Sequence, residues 1–436
     1  MEWWIVILIF FGVLITLLLL EVPVAFAIFI INIFGAFIFF KGLPGLRQLN
    51  LSIYDTLTTF TLTPVPLFIL MGEALFRSGA ALRALEVLDE WIGKMPGRLG
   101  VLTTLGGTLF AVLSGSTMAN TAMMGTLLLP QMQKRGYHDS ISMGSILASG
   151  GLAMIIPPSA LAIIFGTIAR ISIGKLLIAG IIPGLIMALN YAFNIIIRCT
   201  LNPSLAPSYE IEPVPFRQKM VALVRDVLPF GIIIFLVLGL LFFGVATPTE
   251  SAALGAIGSL ILVACYGQLN LKLLKEMLLG TLKVTVMIFF IMMGAQIFSQ
   301  IMAFSGAING LVNIFLSLRV PPLVLLIIIQ IILLFMGMFL EQVSIMLVTL
   351  PFFMPIVTQM GWDPLWFAIL MLINLQIAHT TPPFGLLLFV MKGVAPPGTT
   401  MLQIYKSALP FVVSDLITIA ILVTFPVLVL WLPGLM

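Results

Sequence analysis

Two polar breaks interrupt the apolar sequence of this chain, and each has a counterpart further along. The first break is Ser114–Asn120 and the second is Ile156–Ser159, while the counterparts are Gly337–Gln342 and His379–Gly385. A break in a helix frees carbonyl groups at one helix end and N–H groups at the start of the next. Freed carbonyls and hydroxyls are hard oxygen ligands suited to Na+, whereas helix N-termini attract a carboxylate. The four segments together predict binding of Na+ and of an organic anion.

Each predicted Na+ site lies between the two polar breaks of one half of the chain. We expect one Na+ between the first two breaks and a second Na+ between their counterparts. The residues assigned to the cations are Ser114, Gly115, Ser116, Ile156, Pro157, Gly337, Met338, Glu341, Thr380, Thr381 and Pro382. The anion is expected between the two cation sites, with contacts from Thr117, Asn120, Pro158, Ser159, Thr381 and Pro383. Any single cluster is also compatible with a packing or kink device.

Three ionisable residues lie near these breaks or inside apolar runs, and the sequence leaves their roles open. Glu341 fits a cation ligand, a helix cap or a proton acceptor. For His379 a packed or capping role is favoured over proton carriage. For Asp415 a helix–helix hydrogen bond is favoured over an ion site.

The composition predicts a protein that crosses the membrane many times. Hydrophobic residues make up 61% of the chain and charged residues only 8%, whereas a soluble domain carries about a quarter charged residues. The first apolar segment, 3–20, has no basic stretch before it, so we expect a retained helix rather than a signal peptide. Nothing in the composition indicates nucleic-acid binding.

Apolar runs of about twenty residues, the length of one membrane crossing, recur along the chain. Segment 98–136 differs, because its polar break leaves two halves of about fifteen residues, which are short for a crossing. A re-entrant hairpin fits it better than the alternative of two short crossings, and segment 321–361 has the same form. Pro157-Pro158 and Pro382-Pro383 each break a crossing helix, since neither proline donates a backbone N–H. Segment 77–94 predicts an amphipathic surface helix.

Each half also contains a polar segment that is followed by a crossing. The sequence predicts a polar connection over 41–50 followed by a crossing over 56–75. In the second half it predicts an amphipathic segment over 270–283 and a separate crossing over 284–304.

The two halves repeat each other at a near-constant spacing. Pro157-Pro158 pairs with Pro382-Pro383 and Asn190 with Asp415, each 225 positions later. Each half then holds five crossings, one re-entrant hairpin and one broken helix. Because five is odd, the second copy is inserted upside down, which is the inverted-repeat plan of secondary transporters. The predicted fold is an all-α polytopic membrane protein of two inverted repeats.

The distribution of Lys and Arg predicts the orientation in the membrane. Of the 20 Lys and Arg residues, the predicted crossings place fifteen on one side and five on the other, namely Lys41, Arg47, Arg170, Lys175 and Arg319. The richer side is cytoplasmic by the positive-inside rule. Both termini are then expected on the periplasmic side.

Several of these motifs also indicate a family. They are the run from Ser114-Gly115-Ser116 to Pro130, Gly150-Gly151 with Ile156–Ser159, Ala246–Ala252, and the run from Asn374 to Thr381-Pro382-Pro383-Phe384-Gly385. Together they resemble the large membrane subunit of TRAP (tripartite ATP-independent periplasmic) transporters, and the resemblance covers essentially the whole chain. Many relatives carry Asp at the second hairpin break, where this chain has Glu341.

The resemblance implies an elevator-type importer of organic acids, driven by Na+, in the bacterial inner membrane. It also implies a small four-helix membrane subunit and a periplasmic substrate-binding protein as partners. We expect the small subunit to be a separate polypeptide. Segments 98–170 and 320–395, which hold the hairpins and broken helices, are assigned to a mobile transport domain, and segments 1–97, 171–319 and 396–436 to a scaffold.

The sequence thus predicts Na+-coupled import of a dicarboxylate, a sialic acid or another sugar acid, with no enzymatic activity and no organic cofactor. One alternative is a stand-alone Na+/carboxylate symporter or Na+/H+ antiporter, which would share the hairpin plan. A channel would need a continuous polar path. An intramembrane enzyme would need a catalytic dyad or metal cluster, and the sequence has no paired His or Cys to supply one.

Overall fold

The computed structural model of the chain is built from helices. It describes all residues except 1, 21, 41, 208, 210–213, 318–319, 339 and 384, and excludes the side chains of 18–19, 24, 80–81, 113–114 and 315–316. Of the features used above, Lys41, Arg319, Phe339, Phe384 and the side chain of Ser114 lie outside the described residues. No β-strand occurs among the residues that are described, so the prediction of an all-α protein is confirmed.

The first half contains eleven of the α-helices described here, with short 3-10 turns between α3 and α4, between α8 and α9, and after α11. They are α1 Trp3–Leu19, α2 Val24–Phe39, α3 Leu43–Leu57, α4 Pro64–Arg77, α5 Ala80–Trp91, α6 Arg98–Ser114, α7 Thr117–Lys134, α8 Asp139–Gly151, α9 Ala160–Ala169, α10 Ile173–Ala179 and α11 Ile181–Leu201.

The second half begins with three short helices joined by π-helical turns, and then follows a similar order. Its helices are α12 Phe216–Ala222, α13 Leu228–Ile234, α14 Leu240–Phe242, α15 Pro248–Cys265, α16 Leu271–Phe304, α17 Ala307–Ser317, α18 Pro322–Gly337, α19 Gln342–Gln359, α20 Pro364–His379, α21 Leu386–Val394, α22 Met401–Thr424 and α23 Val427–Leu430.

Seven continuous helical segments in the described chain are long and apolar enough to cross a membrane. They are Phe60–Arg77, Ile173–Leu201, Phe216–Phe242, Pro248–Cys265, Leu271–Phe304, Gln342–Gln359 and Met401–Thr424. Shorter apolar helices, which include α6, α18 and α20, accompany them. The chain is therefore a multi-pass membrane protein.

The start of α15 is determined by capping residues that can be recognised in the sequence. Thr247 and Glu250 form a capping box at the start of α15, with the Thr247 N–H donating to Glu250 Oε2 at 2.8 Å. Pro248 occupies the first helical position, where its missing N–H costs no helical hydrogen bond.

Most of the predicted connection over 41–50 is instead helical, because α3 begins at Leu43 and continues to Leu57. The predicted crossing over 56–75 corresponds to the segment Phe60–Arg77, in which a 3-10 turn at Phe60–Leu62 precedes Pro64 at the start of α4. The second half carries no proline between 270 and 304. The two segments predicted there consequently form one helix, the 34-residue α16.

Packing divides the described helices into two groups. In the first group, α4 and α16 form the centre and pack against α2, α3 and α15. In the second group, α6, α7 and α8 pack against one another, and α18 packs against α20. The groups meet mainly where α6 and α9 lie on α4 and where α19 lies on α16 and α17.

Helices α11 and α22 pack with the hairpin helices, although the sequence-based partition assigns them to scaffold segments 171–319 and 396–436. Their extensive contacts are with α6, α8, α20, α21 and each other. At the α11–α22 crossing, Asn190 Nδ2 donates to the Ser414 carbonyl at 2.7 Å, and the Tyr191 hydroxyl bonds the Asp415 carboxylate. The predicted helix–helix role of Asp415 therefore has a direct partner, Tyr191.

A cluster of charged and aromatic side chains fixes the base of the first hairpin. Arg98, at the start of α6, is 5% exposed and pairs with Asp89 at 2.9 Å. It also donates to the Tyr209 hydroxyl at 2.6 Å, and Arg135 lies over the Tyr209 ring with its guanidinium carbon 3.6 Å from the centroid. Because a cation over an aromatic face is attracted to it, Tyr209 holds the linker between the halves against both ends of the hairpin.

Candidate functional site

The first hairpin turns at Gly115 and Ser116, which we call tip 1. Gly115 has φ +56, a left-handed conformation that glycine adopts without a Cβ penalty, and its N–H donates to the Ala111 carbonyl at 3.1 Å. Ser116 caps α7, accepting at its hydroxyl oxygen from the Ala119 N–H at 3.3 Å. The C-terminus of α6 and the N-terminus of α7 therefore meet at one point, which is the arrangement expected for ion and anion binding.

Tip 1 lies against the break between α8 and α9, which we call break 1 (Leu152–Ser159). A Cβ on Gly115 would lie 3.3 Å from the Pro158 carbonyl oxygen. The chain passes through a 3-10 turn and the cis Pro157-Pro158 bond before Ser159 caps α9. The predicted pairing of Gly115 with Ile156–Ser159 is thus a contact in the structure.

The side chains of break 1 are largely engaged by the backbone around them. The Ser159 hydroxyl donates to the Met154 carbonyl at 2.6 Å and accepts from the Ala162 N–H at 3.2 Å. Ser159, Pro157 and Pro158 are all buried. Any contact from Ser159 to an anion would have to compete with these two hydrogen bonds.

The amide nitrogen of Asn120, a residue predicted to touch the anion, is bonded to neighbouring helices. Its amide donates to the carbonyls of Gly107 on α6 and Ser149 on α8, each at 3.1 Å, and the residue is fully buried. Its nitrogen therefore joins three helices behind tip 1. Thr117, at the first position of α7, is also buried, with 4% of its surface exposed.

The second hairpin turns between Gly337 and Gln342, which we call tip 2. Glu341 caps α19, accepting at Oε2 from the Val343 N–H at 3.2 Å, so the capping role considered for it is present. Met338 continues the hydrogen bonding of α18 through its N–H. A Cβ on Gly337 would overlap the Ala378 side chain, which places tip 2 against the end of α20.

The break after α20, which we call break 2 (Thr380–Gly385), is more open than break 1. The Thr380 and Thr381 hydroxyls donate to the Ile377 carbonyl at 3.0 and 2.6 Å. Pro382 and Pro383 share a cis bond and are exposed. The two threonine oxygens keep their lone pairs, which is what a cation ligand requires.

A side-chain hydrogen bond that was not predicted from the sequence joins tip 2 to the end of α20, directly before break 2. Gln342 Nε2 lies 2.7 Å from His379 Nδ1, and both residues are buried. His379 is therefore packed in the interior, as expected, and Gln342 is its hydrogen-bond partner. The spacing of 37 residues gave no local signal for this pair.

The helices that lead into the two breaks, α8 and α20, contact each other. A Cβ on Gly151, the last residue of α8, would overlap the side-chain amide of Gln376 on α20. These residues are 225 positions apart, the same spacing as the proline pairs. The contact therefore joins the end of α8 to α20 at the spacing of the predicted repeat.

The donor set at both tips consists of hydroxyl and backbone oxygens plus the Glu341 carboxylate. Within the described residues, no group of three or more His, Cys, Asp or Glu could hold a metal ion. Such oxygens suit a hard monovalent ion better than a transition metal, which prefers nitrogen or sulfur. The residues present therefore fit Na+.

Comparison with known proteins identifies the family. The family model described as Tripartite ATP-independent periplasmic transporter, DctM component, matches residues 11–428. The C4-dicarboxylate TRAP transporter large permease protein DctM of Pseudomonas aeruginosa is 30% identical over 393 residues, covering 89% of this chain and 90% of that protein. The sialic acid TRAP transporter large permease protein SiaM of Vibrio cholerae is 30% identical over 421 residues, covering 96% of each.

A solved structure shares the fold. The YdaH transporter of Alcanivorax borkumensis superposes with a TM-score of 0.63 at 16% identity, covering 90% of this chain and 89% of that one. At this identity the likeness concerns the fold alone. The relatives are transport permeases rather than enzymes, and their family implies a small membrane subunit and a periplasmic binding protein as partners. With its match over residues 11–428, the chain belongs to the family of large membrane subunits of TRAP transporters.

Proposed function

We propose that this chain imports an organic acid across the bacterial inner membrane, driven by Na+. The observation that carries the proposal is the pairing of Gly115 with Pro158 and of Gln342 with His379. Each pairing brings a helix C-terminus and a helix N-terminus to one place, and such ends bind Na+ and carboxylate respectively. Both pairings join a hairpin tip to the helix break in the same half of the chain.

We propose that the substrate is a dicarboxylate or a sialic or other sugar acid. The two relatives described above are named for C4-dicarboxylate and for sialic acid. A periplasmic binding protein delivers the solute, and a small membrane subunit completes the transporter. Both termini lie in the periplasm, because the side rich in Lys and Arg is cytoplasmic.

In this proposal the second packing group, including α11 and α22, moves as one body against the first. A cavity of about 1070 Å³ separates the two groups on the side assigned to the periplasm. Thr59 and Gln300 line it from the first group, and Arg170 and Pro355 from the second. Because close packing resists sliding, an open space at this interface favours relative movement of the groups.

Uptake into proteoliposomes tests the proposal. The chain, its small subunit and the substrate-loaded binding protein are reconstituted with an inward Na+ gradient, and uptake is compared with a choline gradient of equal ionic strength. We expect uptake that requires both Na+ and the binding protein. Uptake that persists without Na+ would exclude the coupling, whereas uptake of free solute without the binding protein would favour a stand-alone symporter.

A further inference from the structure

One cation, Arg170, lines the cavity of about 1070 Å³ between the two packing groups. Among the described residues that line this cavity, Arg170 is the only Lys or Arg, and Asp55 is the only acid. The exposed side chain of Arg170 makes no ion pair or hydrogen bond within the described residues. Because a guanidinium carries five N–H donors and a fixed positive charge, the cavity contains a ready binding group for an anion.

The backbone at Arg170 is unfavourable for any residue other than glycine. Arg170 follows α9 with φ 55 and ψ 40, and in the part of the chain that the structure describes no other non-glycine residue has a positive φ. Glycine is the usual residue where a helix ends in this left-handed conformation, because a Cβ is disfavoured there. Strain of this kind gathers at functional positions. An arginine held here therefore points to a role for its side chain.

The wall of the cavity that faces the second group supplies neutral polar groups. Gln296, Ser299 and Gln300 line the cavity from α16, and their spacing of three and four residues places them on one helix face. The Ser52 hydroxyl donates to Gln300 Oε1 at 2.9 Å, so the Gln300 amide nitrogen remains available as a donor. The volume lies near the upper end of the range for small-molecule sites, about 300–1,000 Å³. The cavity therefore has both the room and the donors for a small organic anion.

We propose that Arg170 binds a carboxylate of the organic acid in this cavity, before the solute reaches the two tips. The inference rests on the proposed function and deepens it, because it names a residue that selects the solute. A guanidinium pairs with a carboxylate through two parallel hydrogen bonds, a geometry that the single ammonium of a lysine cannot supply. The polar face of α16 bonds the remainder of the solute.

Asp55 distinguishes this role from a structural one. Asp55 belongs to α3 in the first packing group, whereas Arg170 belongs to the second. If Arg170 binds an anion, the Asp55 carboxylate repels that anion, and Asp55→Asn strengthens solute binding. If Arg170 instead served to attract Asp55 and hold the groups together, Asp55→Asn would have the same effect as the loss of Arg170.

A charge-sensitive label tests the cavity without any transport. Thr167→Cys places a thiol in the same cavity, three residues before Arg170. It is prepared in the full chain with Cys265→Ser, since Cys265 is exposed and Cys199 is buried. The rates of modification by an anionic and by a cationic methanethiosulfonate are compared. We expect Arg170→Gly to slow the anionic reagent and speed the cationic one by about threefold each, from the loss of one charge at a distance of ~6 Å in water.

Uptake tests whether the solute uses this charge. Arg170→Gly, Arg170→Lys and Asp55→Asn are reconstituted with the small subunit and the binding protein, beside the control Lys175→Gln, which removes an exposed charge outside the described lining. Uptake of succinate, a C4-dicarboxylate, and of N-acetylneuraminate, a sialic acid, is measured at varied solute and at varied Na+. Melting temperatures are measured for every variant.

We expect Arg170→Gly to raise the half-saturating solute concentration about tenfold, as for a lost hydrogen bond to a charged group, with the half-saturating Na+ concentration unchanged. Its melting temperature should equal or exceed that of the wild type, because glycine suits the left-handed backbone. Arg170→Lys should be intermediate, Asp55→Asn should lower the half-saturating solute concentration, and Lys175→Gln should match the wild type.

An unchanged labelling ratio or an unchanged half-saturating solute concentration in Arg170→Gly would overturn this inference while leaving Na+-driven uptake intact. Weaker solute binding in Asp55→Asn would also overturn it, in favour of a contact between the groups. A wild type that takes up neither acid, or that ignores Na+, would overturn the proposed function instead.

Discussion

Tip 1 and break 1 are closed by small residues, whereas tip 2 and break 2 are joined by larger polar ones. In the first half, Gly115 lies against the Pro158 carbonyl and the prolines are buried. In the second half, Glu341 replaces the serine cap, a Gln342–His379 hydrogen bond spans the contact, and the prolines are exposed. The same backbone plan therefore supports two different environments. This difference indicates that both contacts depend on close packing at a glycine and that the second contact adds a side-chain hydrogen bond.

The largest effect on stability and uptake is expected at Gly337, which packs closely against Ala378 in the second half. Gly337→Ala places a Cβ on the Ala378 side chain, and overpacking of this kind costs about 1–3 kcal/mol. We expect a lower melting temperature and loss of most Na+-dependent uptake. Gly393→Ala, on α21 with open space around it, is the matched control and should be neutral. Normal uptake in Gly337→Ala would show that tip 2 does not need this close contact.

Gly115→Ala tests backbone fit at tip 1. A left-handed conformation costs a non-glycine residue about 1–2 kcal/mol, and the new Cβ would also lie 3.3 Å from the Pro158 oxygen. We expect weaker Na+ activation of uptake as well as lower stability. Gly306→Ala has φ +76 but no neighbour within 4 Å, so it isolates the conformational cost. Equal effects of the two variants on Na+ activation would argue against a specific role for the tip 1 contact.

Substitutions at the two helix caps, Ser116 and Glu341, distinguish the effect of charge on Na+ activation from the effect of capping. Ser116→Ala removes a cap worth about 1 kcal/mol, whereas Glu341→Gln keeps a cap oxygen and removes the charge. Because bonds to charged groups are about twice as strong as neutral ones, we expect Glu341→Gln to raise the half-saturating Na+ concentration more than Ser116→Ala. Uptake at varied Na+ measures both. An unchanged Na+ response in Glu341→Gln would leave Glu341 with a capping role only.

A double-mutant cycle tests whether the second half depends on its polar pair. Gln342→Leu and His379→Leu, alone and combined, should show a coupling free energy of about 0.5–1.5 kcal/mol in thermal unfolding, the usual net contribution of a hydrogen bond. The equivalent positions, Thr117 and Met154, provide the control cycle. Additive effects at Gln342 and His379 would mean that their hydrogen bond contributes nothing to tip 2.

The smallest effect is expected at the exposed face of break 2. Tyr405 donates to the Pro383 carbonyl at 2.8 Å, and Tyr405→Phe removes that bond at a site open to water. We expect a change of less than about 1 kcal/mol in stability and little change in uptake. A large loss of uptake would show that this bond holds break 2 in its working conformation.

Much of the plan could be predicted from the sequence because its signals are local. Adjacent prolines break a helix wherever they occur, and Thr247 with Glu250 forms a capping box within one helical turn. Two predictions about local structure differ, since 41–50 is largely helical rather than a connection and the segments 270–283 and 284–304 form one helix. The side-chain contacts of distant residues could not be predicted at all. The Asn120 amide, for example, bonds the carbonyls of Gly107 and Ser149, and no spacing in the sequence indicates these partners.

The sequence by itself determined the membrane class, the helical composition, the family and the positions of the helix ends around both tips. These follow from composition and from residues acting on their own turn of the backbone. Only the tertiary structure decided that Gly115 meets Pro158, that Gln342 meets His379, that Gly151 meets Gln376, and that α11 and α22 pack with the hairpin helices. The physical reason is that nearly every helix here is apolar on most of its surface, so only the fit of side chains from distant segments selects its neighbours.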